Sequence, residues 1–89
     1  MFYAVQSLRS LCAVDGQLVS MTLTDRPRFE HRGLSVDLAR HFHSNVADLK
    51  RLVDVMAMYK LNKLQLHLSD DEGWRIEIPG IPQLTSVHL

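Results

Sequence analysis

The sequence has little of what several large classes of protein require. Its 89 residues contain a single cysteine, Cys12, so an internal disulfide and a cysteine-based metal site are both excluded within this chain. Ten basic residues balance ten acidic ones, and this zero formal charge argues against a nucleic-acid partner, because binding phosphates requires an excess of positive charge. No run approaches the roughly 20 apolar residues of a membrane span. We therefore expect neither nucleic-acid binding nor a membrane span.

The amino terminus also lacks the pattern of a secretory signal. No basic residue precedes the first apolar residues, and Gln6, Ser7 and Arg9 interrupt the run. The sequence predicts neither a compartment nor an oligomeric state. With 46% hydrophobic residues, the chain is one small domain or part of a larger one, and at this length its stability alone would be marginal.

Two segments alternate apolar and polar residues, as strands do, and a helical pattern separates them. The first alternating segment covers 33–39 and the second covers 64–69. Between them, apolar residues recur every three or four positions up to Asn62, with Ser44 or Asn45 as a candidate amino-terminal cap and Asn62 as a candidate stop. The connection is too long for a hairpin, so we expect a parallel strand pair with a crossover helix, an α/β arrangement.

Weaker patterns flank this unit. The spacing of apolar residues predicts a short helix over residues 1–14, which Asp15 and Gly16 would end in a turn. Residues 17–24 read as a short strand or an extended connector, and residues 25–28 read as a linker around Pro27. A third alternating run covers 74–78, before prolines and a glycine interrupt it.

The parallel pairing predicts a polar site. Arg40 lies just past the end of the first strand and Asp70 just past the end of the second. Because parallel strands have their carboxyl ends at the same edge of a sheet, these two side chains should be neighbours in space. A guanidinium beside carboxylates can hold hydroxyl groups or an oxyanion.

The acidic run at residues 70–72 allows more than one interpretation. It can be a solvated turn, or a catalytic or substrate-binding carboxylate; metal binding is less favoured because consecutive carboxylates seldom converge on one centre. His67 on the second strand is interpreted as a hydrogen-bonded structural histidine and Trp74 as a packing residue. We expect no metal and no organic cofactor.

Five short motifs in order carry a resemblance to a known family. They are FEHRGL at 29–34, DLARHF at 37–42, DVMA at 54–57, KLN at 60–62 and HLSDDEGWR at 67–75. Together they resemble the start of the catalytic barrel of β-N-acetylhexosaminidases, glycoside hydrolase family 20, and the chitobiase-like bacterial members in particular. FYAVQSL at 2–8 is similar to the helix that ends the small α/β domain before that barrel.

The resemblance implies a fold and a division of the chain. Residues 1–24 would be the end of a preceding small α/β domain and a connector. Residues 25–89 would be the first βαβ portion, about two of eight strands, of a (β/α)8 TIM barrel, which is therefore incomplete.

The resemblance also implies a function. Members of the family hydrolyse terminal non-reducing N-acetylglucosamine or N-acetylgalactosamine from glycans and chitooligosaccharides, by a retaining mechanism in which the substrate's own acetamido oxygen attacks the anomeric carbon. Arg40 matches the arginine that binds the 3- and 4-hydroxyls of the terminal sugar. Asp70 matches the carboxylate that supports the general acid through a histidine on a later strand. Asp71 and Trp74 match positions to which we assign only a structural role.

The sequence departs from the family pattern in what it lacks. The catalytic aspartate–glutamate pair of the family would follow Leu89, so no catalytic residue is assigned within the chain, and the 89 residues alone are expected to be inactive. Gln65 stands where many members have a histidine, and residues 86–89 depart from the family pattern. The alternative interpretation is a non-catalytic fragment or a small sugar-binding or interaction module.

Overall fold

A computed structural model describes residues 1–12 and 16–86. Its regular elements, in chain order, are helix α1 (Phe2–Leu11), strand β1 (Gly33–Asp37), helix α2 (Val46–Met58), strand β2 (Lys63–His67) and the short helix α3 (Gln83–Ser86). The predicted strand–helix–strand unit is therefore present between residues 33 and 67.

The two strands form a parallel pair, as predicted. Gly33 aligns with Lys63 and Asp37 with His67, so the ladder is five residues long and both strands end at the same edge. The ladder continues one bond further, because the Leu38 amide donates to the His67 carbonyl at 2.9 Å. Residues 17–24, for which a strand was one of two interpretations, contain no helix or strand and serve as a connector.

Helix α2 begins where the sequence predicted and ends earlier. The Asn45 side chain accepts the amide of Asp48 at 2.9 Å, which is the expected cap. The helix stops at Met58 rather than near Asn62, because Lys60 adopts a positive φ of 59°. The Leu61 amide then donates to the Met56 carbonyl at 2.9 Å, as in a Schellman motif, in which glycine is the usual residue at the positive-φ position.

Two further predictions differ from the structure. The alternating run at residues 74–78 does not form a strand. Within residues 1–12 and 16–86, its one bridge is the isolated antiparallel pair Ser69–Trp74, and the Ile76 carbonyl accepts the Trp74 indole N–H rather than an amide of a neighbouring strand. The first helix is confirmed over Phe2–Leu11 but ends before its predicted limit, because Cys12 has an extended backbone conformation. Its predicted extension over residues 13–14, the predicted turn residue Asp15 and the tail at 87–89 fall outside the described residues, whereas Gly16 has the positive φ of a turn, 77°.

The core of this arrangement is small. Among the described apolar residues, the buried ones are Leu38, Ala39 and Met56, whereas many large apolar side chains on α1, the connector and α2 are exposed. The radius of gyration is 19.1 Å, and a compact domain of this length would have about 12 Å. The chain is therefore ordered around its parallel pair without enclosing a core of ordinary size.

Candidate functional site

The end of β1 places an arginine at the carboxyl edge of the sheet. One oxygen of Asp37, Oδ1, accepts the backbone amides of Ala39 at 3.0 Å and Arg40 at 3.3 Å. A short polar side chain that takes amides two and three positions ahead forms a local turn, which ends the strand and directs the chain out of the sheet. Arg40 is thereby fixed by its backbone just beyond the last strand pair.

The Arg40 guanidinium joins carboxylates from both strand ends. Its Nη1 donates to Asp37 Oδ2 at 2.7 Å, its Nη2 is paired with Asp70 Oδ2, and its Nε lies 4.0 Å from Glu72 Oε1. These carboxylates raise the pKa of Arg40, with the Asp37 hydrogen bond as the largest cause. The side chain is still 42% exposed. Because each terminal nitrogen carries two N–H groups, donors remain for a ligand.

Asp70 is the buried member of this cluster. Its side chain is 7% exposed, and Oδ2 contacts both Arg40 and Nε2 of His67, the latter at 2.8 Å. Oδ1 accepts the Glu72 amide at 3.3 Å. Hydrogen bonds from Asp71 and then His67 hold the pKa of Asp70 well below its usual range, with a smaller electrostatic effect of Arg40. Asp70 is therefore an ionised, immobilised carboxylate.

Asp71 behaves differently from its neighbour. Its carboxyl shares a hydrogen bond with Asp70, and the negative charge of Asp70 opposes its ionisation, so the pKa of Asp71 is raised. Two adjacent carboxyl groups that share a proton have pKa values that move apart. The acidic run is therefore not a uniformly solvated turn. Asp70 is paired with Arg40, and Asp71 is hydrogen-bonded to Asp70.

A second arginine ties the two strand ends together. The Arg75 guanidinium donates to the carbonyls of Leu38 at 3.0 Å and Ala39 at 3.2 Å, while its own amide donates to the Leu68 carbonyl at 2.8 Å. Gly73 lies against the Ala39 carbonyl oxygen, and an added Cβ would collide with it. The turn after β2 is thus packed directly onto the backbone that carries Arg40.

The opposite edge of the sheet has its own polar network, built differently. The Arg32 side chain donates to the carbonyls of Lys60 at 2.8 Å and Phe29 at 2.6 Å. Asn62 accepts the Arg32 amide at 3.0 Å and donates to the Glu30 carbonyl at 2.8 Å. Both side chains are hydrogen-bonded to backbone groups. These bonds join the loops that precede the two strands and leave few side-chain donors for a ligand.

A cavity of about 700 Å³ lies near that opposite edge. It is lined by α1, the connector and the residues that follow α2. The Lys60 ammonium beside it is already bound to Ser7 Oγ at 2.6 Å and Asp25 Oδ2 at 3.2 Å. The remaining lining is mainly apolar, including Leu8 and Met21. We therefore place the candidate site at the carboxyl edge, where Arg40 has donors available, and not in this cavity.

The structure brings together the two residues singled out from the sequence, Arg40 and Asp70. Three further residues contact this pair or its backbone. His67 is hydrogen-bonded, as predicted, with Asp70 as its partner, whereas the contacts of Asp37 and Arg75 were not predicted. A signal for two of them was available, since Asp37 and Arg40 are separated by three positions at a strand end, as are His67 and Asp70. Nothing in the sequence indicated that Arg75 would reach the Leu38 and Ala39 carbonyls.

Within residues 1–12 and 16–86, no group of three or more histidine, cysteine, aspartate or glutamate side chains is arranged to hold a metal ion. Across the same residues, none of the helices has both the length and the apolar character needed to cross a membrane.

A βαβ unit with an arginine–carboxylate cluster at its carboxyl edge is typical of α/β enzymes, which place binding and catalytic groups there. The model of glycosyl hydrolase family 20, catalytic domain, matches residues 29–88, about two thirds of the chain. The chain belongs to this family of glycoside hydrolases, which confirms the resemblance inferred from its motifs.

Individual relatives agree with this assignment. The N,N′-diacetylchitobiase of Vibrio harveyi is 58% identical over 90 residues, and a β-hexosaminidase of Vibrio vulnificus is 47% identical over 87 residues. Each match covers 97% of this chain and 10% of the relative. The crystal structure of a β-N-acetylhexosaminidase matches 97% of this chain and 19% of its own, with 47% identity and a TM-score of 0.75. The chain thus spans about a tenth of the length of these curated relatives.

Proposed function

We propose that this chain supplies the terminal-sugar corner of a β-N-acetylhexosaminidase active site. The observation that carries the proposal is the cluster in which Arg40, from the end of β1, is paired with the buried carboxylate of Asp70, from the end of β2. Family membership of residues 29–88 and the names of the relatives support the same reaction class. The substrates would be N-acetylhexosamine-containing glycans or chitooligosaccharides.

The proposed fold is the first βαβ part of an eight-stranded β/α barrel. The parallel pair, the crossover helix and the exposed apolar surface support it, because two strands of a barrel leave their apolar faces uncovered until other strands and helices pack on them. Residues 25–89 would belong to the barrel, and residues 1–24 to the end of a preceding small α/β domain and a connector. The start of the family match at residue 29 supports this division.

In the proposed mechanism, Arg40 binds the 3- and 4-hydroxyls of the terminal sugar through N–H donors that its carboxylate partners leave available. Its positive charge and planar shape suit paired oxygen acceptors. Asp70, ionised and held in place by Arg40 and His67, would orient a histidine from a later strand and thereby support the general acid. The reaction itself would be retaining and substrate-assisted, an exception to the two-carboxylate scheme.

The chemical step requires a general acid, and we assign none to this chain. The aspartate–glutamate pair that would orient the acetamido group and protonate the leaving oxygen would follow Leu89. We therefore expect the 89 residues alone to be inactive, because one arginine and a supporting carboxylate cannot protonate the glycosidic oxygen and also position the acetamido group.

A chimera tests the proposal. In it, this chain replaces the 90-residue stretch of the Vibrio harveyi chitobiase to which it is 58% identical. We expect this chimera to hydrolyse 4-nitrophenyl N-acetyl-β-glucosaminide and the isolated chain to release no nitrophenol above the blank. The parent chitobiase is the positive control.

Two outcomes would contradict the proposal. Turnover by the isolated chain would overturn its inactivity, and a chimera that folds, by circular dichroism and gel filtration, but does not turn over would overturn its place in the active site. Saturable binding of N-acetylglucosamine to the isolated chain, measured by calorimetry, would instead favour the alternative of a small sugar-binding module.

A further inference from the structure

At the carboxyl edge of the sheet, four side chains contact one another in a row in which aspartates alternate with nitrogen-containing groups. Asp37 and His67 are the last paired residues of β1 and β2. Each contacts the residue three positions ahead: Asp37 contacts Arg40 at 2.7 Å, and His67 contacts Asp70 at 2.8 Å. Arg40 and Asp70 then pair with each other across the two strands. The row therefore runs Asp37, Arg40, Asp70, His67. Asp37 is its first member, at the end of β1.

We propose that Asp37 is a positioning residue that sets the orientation of the Arg40 guanidinium for binding the hydroxyls of the terminal sugar. This inference rests on the proposed function of Arg40 and adds a second residue to it. Asp37 touches no reacting atom; it acts through the arginine.

The two oxygens of Asp37 have separate tasks. Oδ1 accepts the Ala39 and Arg40 amides and so shapes the turn, whereas Oδ2 accepts Nη1 of Arg40. Only a carboxylate offers two acceptor oxygens, because an amide offers one oxygen and one donor nitrogen. Asparagine at this position would keep the turn through its oxygen but would turn its amino group toward the guanidinium, where two donors repel each other.

Asp37 is also needed because a single carboxylate leaves a guanidinium free to rotate. Without Asp37, Asp70 on Nη2 would be the one carboxylate within hydrogen-bond distance, since Glu72 lies 4.0 Å from Nε. Arg40 could then pivot about the Asp70 contact, and its 42% exposed side chain has open space to do so. The Asp37 contact on Nη1 fixes a second point on the same planar group. Two fixed points define the direction of the remaining N–H donors, which is what hydroxyl recognition requires.

The Asp37→Asn substitution in the chimera separates the two tasks. We expect KM for the N-acetylglucosaminide to rise about tenfold, with a smaller change in kcat, because a charge-assisted contact that orients a binding group is lost while the turn is kept. The penalty should shrink for a 4-deoxy substrate, which lacks one of the hydroxyls that Arg40 is proposed to bind. An equal penalty on both substrates would overturn the inference.

A double substitution tests whether Asp37 acts through the arginine. In a chimera that already carries Arg40→Ala, adding Asp37→Asn should cause no further rise in KM, because its target is gone. A full additional loss would show that Asp37 contributes independently and would overturn the inference. The matched control is Asp48→Asn, since Asp48 also pairs with an arginine three positions ahead, Arg51 at 3.4 Å, but on the surface of α2.

A crystal structure of the Asp37→Asn chimera provides a readout that does not depend on activity. We expect the turn at Ala39 to be retained and the Arg40 guanidinium to be displaced or to adopt more than one orientation. An unmoved guanidinium would overturn the inference. If the unsubstituted chimera were inactive, the proposed function would fail, whereas this structure would still test the role of Asp37.

Discussion

Arg40 and Arg32, at opposite edges of the same parallel pair, use their N–H donors in opposite ways. At the carboxyl edge, Arg40 pairs with carboxylate side chains and remains 42% exposed. At the amino edge, the Arg32 guanidinium donates hydrogen bonds to the backbone carbonyls of Lys60 and Phe29. Charged side-chain partners can orient a guanidinium while leaving donors for a ligand, whereas backbone carbonyls consume donors to join loops. The contrast predicts function at one edge and stability at the other, as in β/α barrels generally.

The largest effect should come from Asp70. Asp70→Asn in the chimera removes the negative charge that Arg40 and His67 share, and we expect kcat to fall by about a hundredfold, through the loss of support for the general acid. Nitrophenol release under saturating substrate measures it. If kcat stayed within about twofold of the unsubstituted chimera, the carboxyl edge would lose its assigned role.

The low pKa of Asp70 also predicts that its contribution to the stability of the folded protein depends on pH. Because the pKa in the folded protein lies below that of the unfolded chain, the ionised carboxylate contributes stability above the ordinary aspartate pKa of about 3.9, and that contribution is lost as the pH falls through the folded-state pKa. Urea unfolding should therefore show a smaller difference between Asp70→Asn and the unsubstituted chimera as the pH is lowered from about 5 toward 3. A constant difference would contradict the shift.

The next largest effect should come from Arg40. Arg40→Ala should raise KM by about thirtyfold with a smaller change in kcat, because the proposed contacts to the 3- and 4-hydroxyls are made before and during the reaction. Arg51→Ala, at an arginine on the surface of α2 that is 81% exposed, is the control. Unchanged kinetics in the Arg40 variant would mean that the terminal sugar is held elsewhere.

A smaller and different effect is expected at the amino edge. Arg32→Ala should speed local hydrogen exchange of β1 and β2 by about fivefold, as expected for the loss of roughly 1 kcal/mol of hydrogen bonding. KM should stay unchanged. Hydrogen exchange is measured by mass spectrometry on peptides that cover the two strands. A change in KM without faster exchange would contradict the assignment of stability to the amino edge and of binding to the carboxyl edge.

The smallest effect is expected from Asn45, which tests whether position at the carboxyl edge alone gives a residue a role in binding. Asn45→Ala removes the cap on the Asp48 amide and should destabilise α2 by about 1 kcal/mol, without altering KM. Ser44→Ala, which removes only a weak contact at 3.3 Å to the Asn45 carbonyl, is the control. A KM effect in the Asn45 variant alone would extend the site beyond the arginine–carboxylate cluster.

Several features of the fold followed from local pattern alone. Alternation located β1 and β2, and the spacing of apolar residues located α1 and α2, because a buried face imposes the period of its element on the sequence. The early end of α2 was not predictable from these rules, since a lysine rather than a glycine adopts the positive φ at position 60. The run at 74–78 had the pattern of a strand, but in the described part of the chain it pairs only through the Ser69–Trp74 bridge, and pairing is not a local property.

The sequence by itself determined α1, β1, α2 and β2, the parallel pairing and the meeting of Arg40 with Asp70, because a long crossover forces two strands to end at one edge. Only the tertiary structure decided which atoms meet there. Arg40 pairs with Asp70, and Arg75 donates to the carbonyls of Leu38 and Ala39. These contacts depend on distances between chain segments about 30 or more residues apart. Such distances are set by packing, which no spacing along the chain records.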